Sequence, residues 1–179
     1  MEKALTTVPH PHIAAVTAVE AASPSTEYLS FRLGSEDYAI DILKVQEIRG
    51  YETSTRMVGT AGFVKGVLNL RGVIVPIFDL RMKFGMADVQ YNALTVTVIL
   101  KLDHRVVGVV VDAVSDVVEL GPDQIKAAPV FDGHVEASSV IGIATISNGS
   151  EVGERMLILL DAERLMADPS MGLAEQTLQ

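Results

Sequence analysis

Short apolar segments separated by polar turns dominate most of this chain. Apolar and polar residues alternate at 27–33, and after a turn the apolar pattern continues at 38–42. A second pair of such segments lies at 95–102 and 105–111. Alternation over short runs predicts half-buried β-strands, so each pair is predicted to form a hairpin.

The most informative stretch runs from Gly66 to Arg81 and contains two apolar segments around one polar turn. The turn holds Arg71 and Gly72, and glycine readily adopts the positive φ angles that a tight turn can require. Nearly continuous β-branched residues at 73–77 predict a strand that is buried on both faces. Pro76 cannot donate a backbone hydrogen bond, which predicts a free edge or a bulge there. Arg71 would carry a permanent charge at the rim of an apolar core, which favours binding over catalysis.

Helical patterns are brief, and each opens on an aspartate. Residues 79–84 begin with Asp79, and residues 161–166 begin with Asp161. An aspartate at the N-cap accepts hydrogen bonds from unpaired N–H groups of the first turn, so two short helices are predicted. Strands this closely spaced favour small closed barrels over a parallel sheet with crossover helices. The predicted fold is therefore mainly β.

The second half of the chain resembles the first. A shift of 69 residues places residues 31–33 on 100–102 and residues 38–40 on 107–109. The offset grows to 76 and then to 82 further along the chain, as inserted loops would cause. This repeat predicts two similar small barrels with a groove at their junction.

The turn around Arg71 is a point where the two copies differ. In the second copy Glu154 stands at the position of Gly72, and Arg155 follows it. A turn required by the fold would be expected in both copies. The difference therefore favours a functional role for Arg71.

The two ends of the chain lack the periodicity of its central part. Residues 1–26 are rich in Ala, Thr, Ser and Pro, which predicts a disordered N-terminal tail. His10 and His12 lie in this tail, where a metal site would need further ligands. Residues 168–179 are predicted to form a flexible C-terminal tail. This leaves residues 27–167 as one folded domain of two pseudo-repeated barrels, with the chain crossing between them.

Composition narrows the classes of function. Hydrophobic residues make up 49% of the 179 residues and aromatic residues only 5%, so aliphatic side chains must fill a large core. The formal net charge of −9 argues against nucleic acid or an anionic membrane surface as partner. The chain has no cysteine, no apolar run near the roughly 20 residues that cross a bilayer, and no signal-peptide pattern. We therefore expect a soluble, cytoplasmic protein without direct membrane insertion.

Residues that could catalyse a reaction are scattered along the chain. No nucleophile-elbow motif and no phosphate-binding glycine loop occurs. His104 and His134 fall in predicted turns, where solvated side chains are expected. Asp112 and Asp116 lie among valines, which favours a strand with outward polar positions over a catalytic carboxylate pair. The sequence therefore predicts no enzymatic activity, no cofactor and no metal.

The segment at residues 41–50 mixes apolar and charged residues densely and allows two interpretations. In one, it is an edge strand whose charges prevent unwanted pairing. These charges are Lys44, Glu47 and Arg49. In the other, it is a recognition edge with apolar side chains at a spacing of three. These side chains are Ile42, Val45 and Ile48. The two interpretations are evenly matched, and Arg71 could equally be a local ion-pair partner of Glu47.

Four segments together resemble a known protein family. They are Ile40 to Gly50, Phe63 to Ile77, Val106 to Val117 and Arg155 to Leu160. In order and spacing these segments are similar to the CheW family of chemotaxis coupling proteins, most closely its proteobacterial members. The resemblance covers roughly residues 27–167. It implies two SH3-like five-stranded β-barrels around a common apolar core, short helices including one near the C-terminus, and no catalytic activity.

The resemblance also implies two binding surfaces. A receptor-binding groove between the barrels would be formed by Leu29, Ile42, Val45, Glu47, Ile48 and Arg71. The helical hairpin at a chemoreceptor tip would dock there, with aliphatic anchors giving affinity and charges setting register. A kinase-binding surface on the second barrel, together with a ring-closing surface, would include Gly108, Val114, Lys126 and Phe131.

The implied function is that of an adaptor. It would connect the cytoplasmic tips of chemoreceptors, the methyl-accepting chemotaxis proteins, to the regulatory domain of the histidine kinase CheA, with further copies of the adaptor in rings. It would act in the cytoplasm at membrane-bound receptor arrays. A coupling protein of another chemosensory system, such as one that drives surface motility, is the nearest alternative. A ligand-binding β-barrel and a hydrolase are weaker ones, and scarce aromatic residues argue against an oligonucleotide ligand.

Overall fold

The computed structural model of this protein describes residues 24–129, 137–147 and 153–173. Within these ranges it contains eleven strands, two α-helices and several short 3-10 helices. The strands are β1 (Thr26–Leu33), β2 (Glu36–Asp41), β3 (Val45–Gly50), β4 (Val64–Leu70), β5 (Val73–Asp79), β6 (Val96–Lys101), β7 (Val106–Val111), β8 (Ala113–Leu120), β9 (Ile125–Lys126), β10 (Val140–Ser147) and β11 (Glu154–Leu160). The α-helices are α1 (Leu80–Lys83) and α2 (Ala162–Ala167).

The strands are divided between two sheets. Their order is β8-β1-β2-β11-β10-β9 in the six-stranded sheet and β3-β6-β7-β5-β4 in the five-stranded sheet. After β3 the chain turns back to β4, where Thr55 and Val67 exchange backbone hydrogen bonds of 3.0 and 2.9 Å. The predicted fold class, mainly β with two SH3-like barrels, is confirmed. The two-residue β9 is the sixth member of the larger sheet.

Each sheet takes strands from both copies of the repeat. β1 and β2 of the first copy join β8 to β11 of the second, whereas β3 to β5 join β6 and β7. Residues related by the 69-residue offset make equivalent cross-strand pairs. Phe31 lies opposite Tyr38 in the first copy, and Leu100 lies opposite Val107 in the second. The chain therefore crosses between the sheets after β2 and again after β7. Neither sheet can be completed from one half of the sequence.

The largest apolar cluster, called here the shared core, draws on both sheets. It combines Phe31 and Tyr38 of the six-stranded sheet with Leu100 and Val107 of the five-stranded sheet, each at most 4% exposed. Two smaller clusters belong to one sheet each and fill its interior. Burying one such large side chain contributes about 1.5–3 kcal/mol. The shared core therefore holds the two barrels together as one body.

The burial of β5 differs in part from the sequence prediction. Val75 and Ile77 are at most 1% exposed, but Val73 and Ile74 are more than half exposed. The prediction of burial on both faces is wrong for these two residues, because β7 pairs with only the last three residues of β5. The first part of β5 extends beyond β7 as a hairpin with β4. The free edge predicted at Pro76 is confirmed, since the pairing with β7 begins one residue later.

Both predicted aspartate caps are present. Asp79 accepts a hydrogen bond from the Arg81 N–H at 3.0 Å, and α1 follows. Asp161 accepts one from the Arg164 N–H at 3.1 Å, and α2 follows. Each carboxylate satisfies an N–H group of the first turn, which has no partner within its helix.

Folded structure continues beyond the predicted start of the C-terminal tail at Asp168. A 3-10 helix, Pro169–Met171, follows α2, and Met171 is buried in the shared core. The predicted boundary therefore falls inside a packed segment. Residues 1–23 and 174–179, which make up most of the two predicted tails, lie outside the described residues.

Gly108→Ala is expected to destabilise the protein by about 1–3 kcal/mol through overpacking. The added methyl group would lie 2.5 Å from Cδ1 of Ile77 and 3.0 Å from Cγ2 of Thr97. Gly50→Ala in β3 is the matched control, because a Cβ there meets no atom within 4 Å. Its stability should be unchanged or slightly raised. Urea unfolding followed by circular dichroism measures both, and equal midpoints for Gly108→Ala and wild type would contradict this packing.

Candidate functional site

β3 lies at one edge of the five-stranded sheet and is entered through a short 3-10 helix. That helix, Ile42–Lys44, is capped by Asp41, whose carboxylate accepts a hydrogen bond from the Leu43 N–H at 2.8 Å. The N–H of Val45 donates to the carbonyl of Ile42 at the other end. This turn leaves the side chain of Leu43 84% exposed.

A β-bulge in β3 decides which side chains share a face. The register of β3 against β6 shifts by one residue between Val45 and Glu47. Beyond the shift, Ile48 lies opposite Val98, while Val45 lies opposite Leu100. Both of these β6 residues belong to the shared core. Directly opposite residues point to the same face of a sheet, so the bulge returns Val45 and Ile48 to one face.

Three apolar side chains therefore form a ridge along this edge, called here the β3 ridge. Ile42 and Val45 are half-buried against the shared core, and Ile48 is 44% exposed. Their spacing of three residues arises from a 3-10 turn followed by a bulge. β3 is thus an edge strand, as one interpretation predicted, and of the three apolar positions that the other required Ile48 is exposed.

Glu47 lies on the opposite face of β3 from the ridge and forms an ion pair with Arg71. The guanidinium of Arg49 also lies 3.4 Å from Glu47. The side chain of Arg71 is 72% exposed, whereas that of Glu47 is 21% exposed. The pair joins β3 to the β4–β5 turn and leaves most of the arginine available to a partner.

The β4–β5 turn holds its arginine in an unusual backbone conformation. Arg71 and Gly72 form a two-residue loop with φ angles of 53° and 89°. Positive φ at both positions is typical of a type I′ hairpin, in which Asn-Gly is preferred. The Asn69 carboxamide oxygen accepts a hydrogen bond from the Gly72 N–H at 2.8 Å, which stabilises the turn. A residue other than glycine in this left-handed conformation costs about 1–2 kcal/mol of conformational energy. The presence of an arginine here despite that cost supports a role for its side chain.

The ion pair changes the acidity of Glu47. The hydrogen bond from Arg71 holds the pKa of the Glu47 carboxyl below its usual range, and Arg49 acts in the same direction. The carboxylate therefore stays charged at neutral pH. The ion pair is lost only as the pH falls through this lowered pKa.

A similar pair of charges occurs at the corresponding place in the second copy. Asp116 of β8 lies at the 69-residue offset from Glu47, and its Oδ1 lies 2.9 Å from the Arg155 guanidinium. Arg155 is the second residue of β11, and Arg71 lies two residues before β5. The inference that Arg71 lacks a counterpart is therefore wrong for the ion pair. Arg71 differs in exposure, at 72% against 21% for Arg155.

Two residues implied to bind partners are buried in the structure. Leu29 is 3% exposed and belongs to the shared core, so it cannot line an open groove. Gly108 is buried in β7, where the side chain of Ile77 occupies the space that a Cβ would need. Direct partner contact by Leu29 or Gly108 is therefore contradicted, and both are packing positions.

Two of the other implied kinase-binding residues lie in the six-stranded sheet. Val114 in β8 is half-buried opposite Phe31, and Lys126 in β9 is exposed. β8 and β9 end the strand order of that sheet, whereas Gly108 belongs to the five-stranded sheet. The structure therefore does not bring Gly108 together with Val114 and Lys126. Phe131 lies outside the described residues.

The most buried polar cluster was not predicted from the sequence. Arg81 is 1% exposed and binds Asp79 through Nε at 3.0 Å and through a terminal nitrogen at 2.7 Å. Its other terminal nitrogen donates to Asp112 at 2.8 Å and to the Gln90 carbonyl at 2.7 Å. The Tyr91 ring lies 4.7 Å from the guanidinium, and its hydroxyl donates to Asp79 at 2.9 Å.

This cluster stabilises the fold rather than performing chemistry, because its charged groups pair with one another. Burial would lower the pKa of Arg81, but the hydrogen bonds to Asp79 and Asp112 raise it. Burial and the bond to Asp79 raise the pKa of Tyr91 to about 12. The only signal in the sequence was an arginine two residues after a capping aspartate.

Arg81→Met is expected to lower the free energy of unfolding by about 3–5 kcal/mol, because it leaves Asp79 buried without its cation. Lys101→Met is the control, since it removes a similar charge from an exposed position at the end of β6. Its effect should stay within about 0.5 kcal/mol. Chemical denaturation measures both variants, and a loss below about 1 kcal/mol in Arg81→Met would contradict the role of this cluster.

Arg71→Ala is expected to raise the pKa of Glu47, because its principal hydrogen-bond donor is lost. Carboxyl chemical shifts followed by NMR through a pH titration measure the change. Arg155→Ala provides the control, since it should raise the pKa of Asp116, which Ser30 and Arg155 lower, and leave that of Glu47 unchanged. Equal Glu47 titration curves in wild type and Arg71→Ala would contradict the ion pair.

Two features are absent from the residues that the structure describes. No helix there is long and apolar enough to cross a membrane. No group of three or more His, Cys, Asp or Glu side chains in the same residues could hold a metal ion.

Comparisons with known proteins agree with the strand arrangement and with the motifs around β3 and the β4–β5 turn. The family model described as CheW-like domain matches residues 27–170. The chemotaxis protein CheW of Klebsiella aerogenes is 47% identical over 163 residues, which cover 91% of this chain and 95% of that protein. The probable chemotaxis protein CheW of Rhizobium etli is 32% identical over 142 residues, covering 79% of this chain and 88% of that one.

A solved structure shares the fold. The crystal structure of the scaffolding protein TtCheW from Thermoanaerobacter tengcongensis matches with a TM-score of 0.68 and 27% sequence identity. The match covers 77% of this chain and 90% of that one. Since the family model spans most of the chain and a relative of nearly equal length is almost half identical, this chain belongs to the CheW-like domain family.

Proposed function

We propose that this chain is a non-catalytic scaffold adaptor that couples the cytoplasmic tips of chemoreceptors to the histidine kinase CheA. The observation that carries the proposal is the β3 ridge, which presents apolar side chains at a sheet edge, with the exposed Arg71 paired to Glu47 on the other face of the same strand. Membership of the CheW-like domain family supports a chemotaxis role, as do relatives named as chemotaxis and scaffolding proteins.

The receptor tip would bind as a helical hairpin along the β3 ridge. Ile48 and the neighbouring Leu43 are exposed and would provide new apolar contacts, while Ile42 and Val45 support them from the shared core. Apolar anchors of this kind supply most of the affinity in helix-in-groove recognition. Arg71 would set the register through its free hydrogen-bond donors.

The kinase would bind on the six-stranded sheet. Val114 and Lys126 are the described residues assigned to this surface, and Phe131 is assigned with them. The expected partner is the regulatory domain of CheA, with further copies of this chain completing rings. An adaptor held between receptors and kinase in this way would be recruited to membrane-bound arrays without inserting into the membrane.

Signal transfer by such an adaptor requires no covalent step. A change in receptor packing alters kinase activity only if the contacts of the adaptor differ in free energy between the active and inactive arrangements. The shared core supports this role, because it joins the receptor-side and kinase-side sheets into one body. Apolar side chains fill the interior of each barrel, which disfavours a ligand-binding barrel.

Ile48→Asp and Arg71→Ala are expected to weaken binding to a receptor cytoplasmic fragment about tenfold or more, in the range of interface hot spots. Val45→Asp should do the same, although Val45 also contacts the shared core. Isothermal titration calorimetry measures the affinity, and kinase activity in a reconstituted mixture with CheA reports coupling. Circular dichroism establishes that each variant is folded.

Ile141→Asp is the matched control for Ile48→Asp. Ile141 is 45% exposed, against 44% for Ile48, but it lies in β10 of the six-stranded sheet. Receptor affinity should be unchanged in this variant. If folded Ile48→Asp and Arg71→Ala proteins bind the receptor fragment as tightly as wild type, the assignment of the β3 edge is wrong.

A further inference from the structure

The chain crosses between the two sheets at two points, and a charged cluster holds each crossing. After β7, Asp112 accepts hydrogen bonds from the Gly34 N–H at 2.7 Å and from Arg81 at 2.8 Å. After β2, the ammonium group of Lys44 lies 2.7 Å from the Glu163 carboxylate and 3.3 Å from that of Asp103. Arg81 belongs to α1 and Glu163 to α2, so each crossing is tied to the helix that follows β5 or β11.

The helix residues of the two clusters correspond within the repeat and carry opposite charges. Glu163 lies at the 82-residue offset from Arg81. Glu163 also accepts a hydrogen bond from the Asp103 N–H at 3.0 Å, in the β6–β7 turn. In the same way, Asp112 binds the N–H of Gly34 in the β1–β2 turn. Each cluster therefore joins a crossing, a helix and a hairpin turn.

Burial distinguishes the two clusters. At the crossing after β7 the side chain of Arg81 is 2% exposed and that of Asp112 is 31% exposed. Lys44 and Glu163 are 29% and 35% exposed. Salt and solvent screen a partly exposed ion pair much more than a buried one. Because Arg81 is buried, the ion pair at the crossing after β7 is screened less than the pair at the crossing after β2, in which both side chains are partly exposed.

The crossing after β2 lies directly at the candidate receptor-binding edge. Lys44 is the last residue of the 3-10 helix Ile42–Lys44 and immediately precedes Val45. Its partner Glu163 lies in α2, whose buried residues belong to the shared core. The ion pair thus connects the β3 ridge of the five-stranded sheet with the helix that follows the last strand of the six-stranded sheet.

We propose that Glu163, acting through Lys44, is a positioning residue for the β3 ridge and links occupation of that edge to α2. The inference rests on the proposed function, because it takes the β3 ridge as the receptor-binding edge. Glu163 holds Lys44, and Lys44 fixes the 3-10 turn from which Ile42 and Leu43 project. A helix that docks on this turn would change the geometry of the Lys44–Glu163 contact. Through that contact it would change the position of α2.

Amide hydrogen exchange in the free, full-length chain tests the positioning role. Glu163→Gln keeps an oxygen that can accept the Asp103 N–H but removes the nearer of the two carboxylate charges beside Lys44. We expect exchange at the Leu43 and Val45 amides to accelerate about two- to fivefold, the range for a partly exposed ion pair. Lys44→Met should have at least this effect, because it also removes the contact with Asp103, and the double variant should exchange no faster than Lys44→Met. Lys44→Arg should restore slow exchange.

Arg164→Met is the matched control on the same helix, because Arg164 pairs with Asp161 and not with the crossing. It should leave exchange at Leu43 and Val45 unchanged. High salt should reduce the difference between wild type and Glu163→Gln, since screening weakens the wild-type pair. Unchanged exchange at these two amides in Glu163→Gln, or additive effects in the double variant, would overturn the inference.

Binding to a receptor cytoplasmic fragment separates this inference from the proposed function. Where wild type binds, Glu163→Gln should raise the dissociation constant about two- to fivefold, and Lys44→Arg should bind like wild type. Equal affinity of wild type and Glu163→Gln would overturn the link to the β3 edge. If wild type itself does not bind the fragment, the proposed function fails, and the exchange rates still decide whether Glu163 positions the turn.

Discussion

Strand exchange between the two copies of the repeat is the constraint on which the rest of this structure depends. β1 and β2 complete their sheet only with β8 to β11, and β3 to β5 complete theirs only with β6 and β7. The exchange brings one hairpin from each copy, represented by Phe31 and Leu100, into the same apolar cluster. Contacts so distant in sequence form late and together, so we expect the two barrels to unfold as one cooperative unit.

Much of the fold could be predicted because it depends on neighbouring residues. Alternation indicated the strands, Asp79 and Asp161 indicated the helix starts, and the Arg71-Gly72 turn indicated a tight hairpin. Burial along a strand depends instead on where its neighbour ends, which no local pattern contains. The exposure of Val73 and Ile74 was missed for this reason, because β7 pairs with only the last part of β5.

The candidate site could be predicted only in part, for the same physical reason. The family resemblance singled out the β3 ridge, but it also assigned surface roles to Leu29 and Gly108, which the sheets bury. The cluster around Arg81 depends on Asp112, which lies 31 residues away at the second crossing. The sequence shows an arginine shortly after the capping Asp79. Its partner Asp112 can be identified only once the end of β5 is placed beside the end of β7.

The geometry of the β3 edge favours a helical partner over an added strand. A partner strand needs a regular row of free N–H and C=O groups, as in β-strand addition. In β3 a bulge and a preceding 3-10 helix interrupt that row, and Lys44, Glu47 and Arg49 add charge along it. The same two irregularities place the β3 ridge on one face. A helix satisfies its own backbone hydrogen bonds and needs only apolar side chains to contact, so the features that block edge-to-edge pairing admit a helical hairpin.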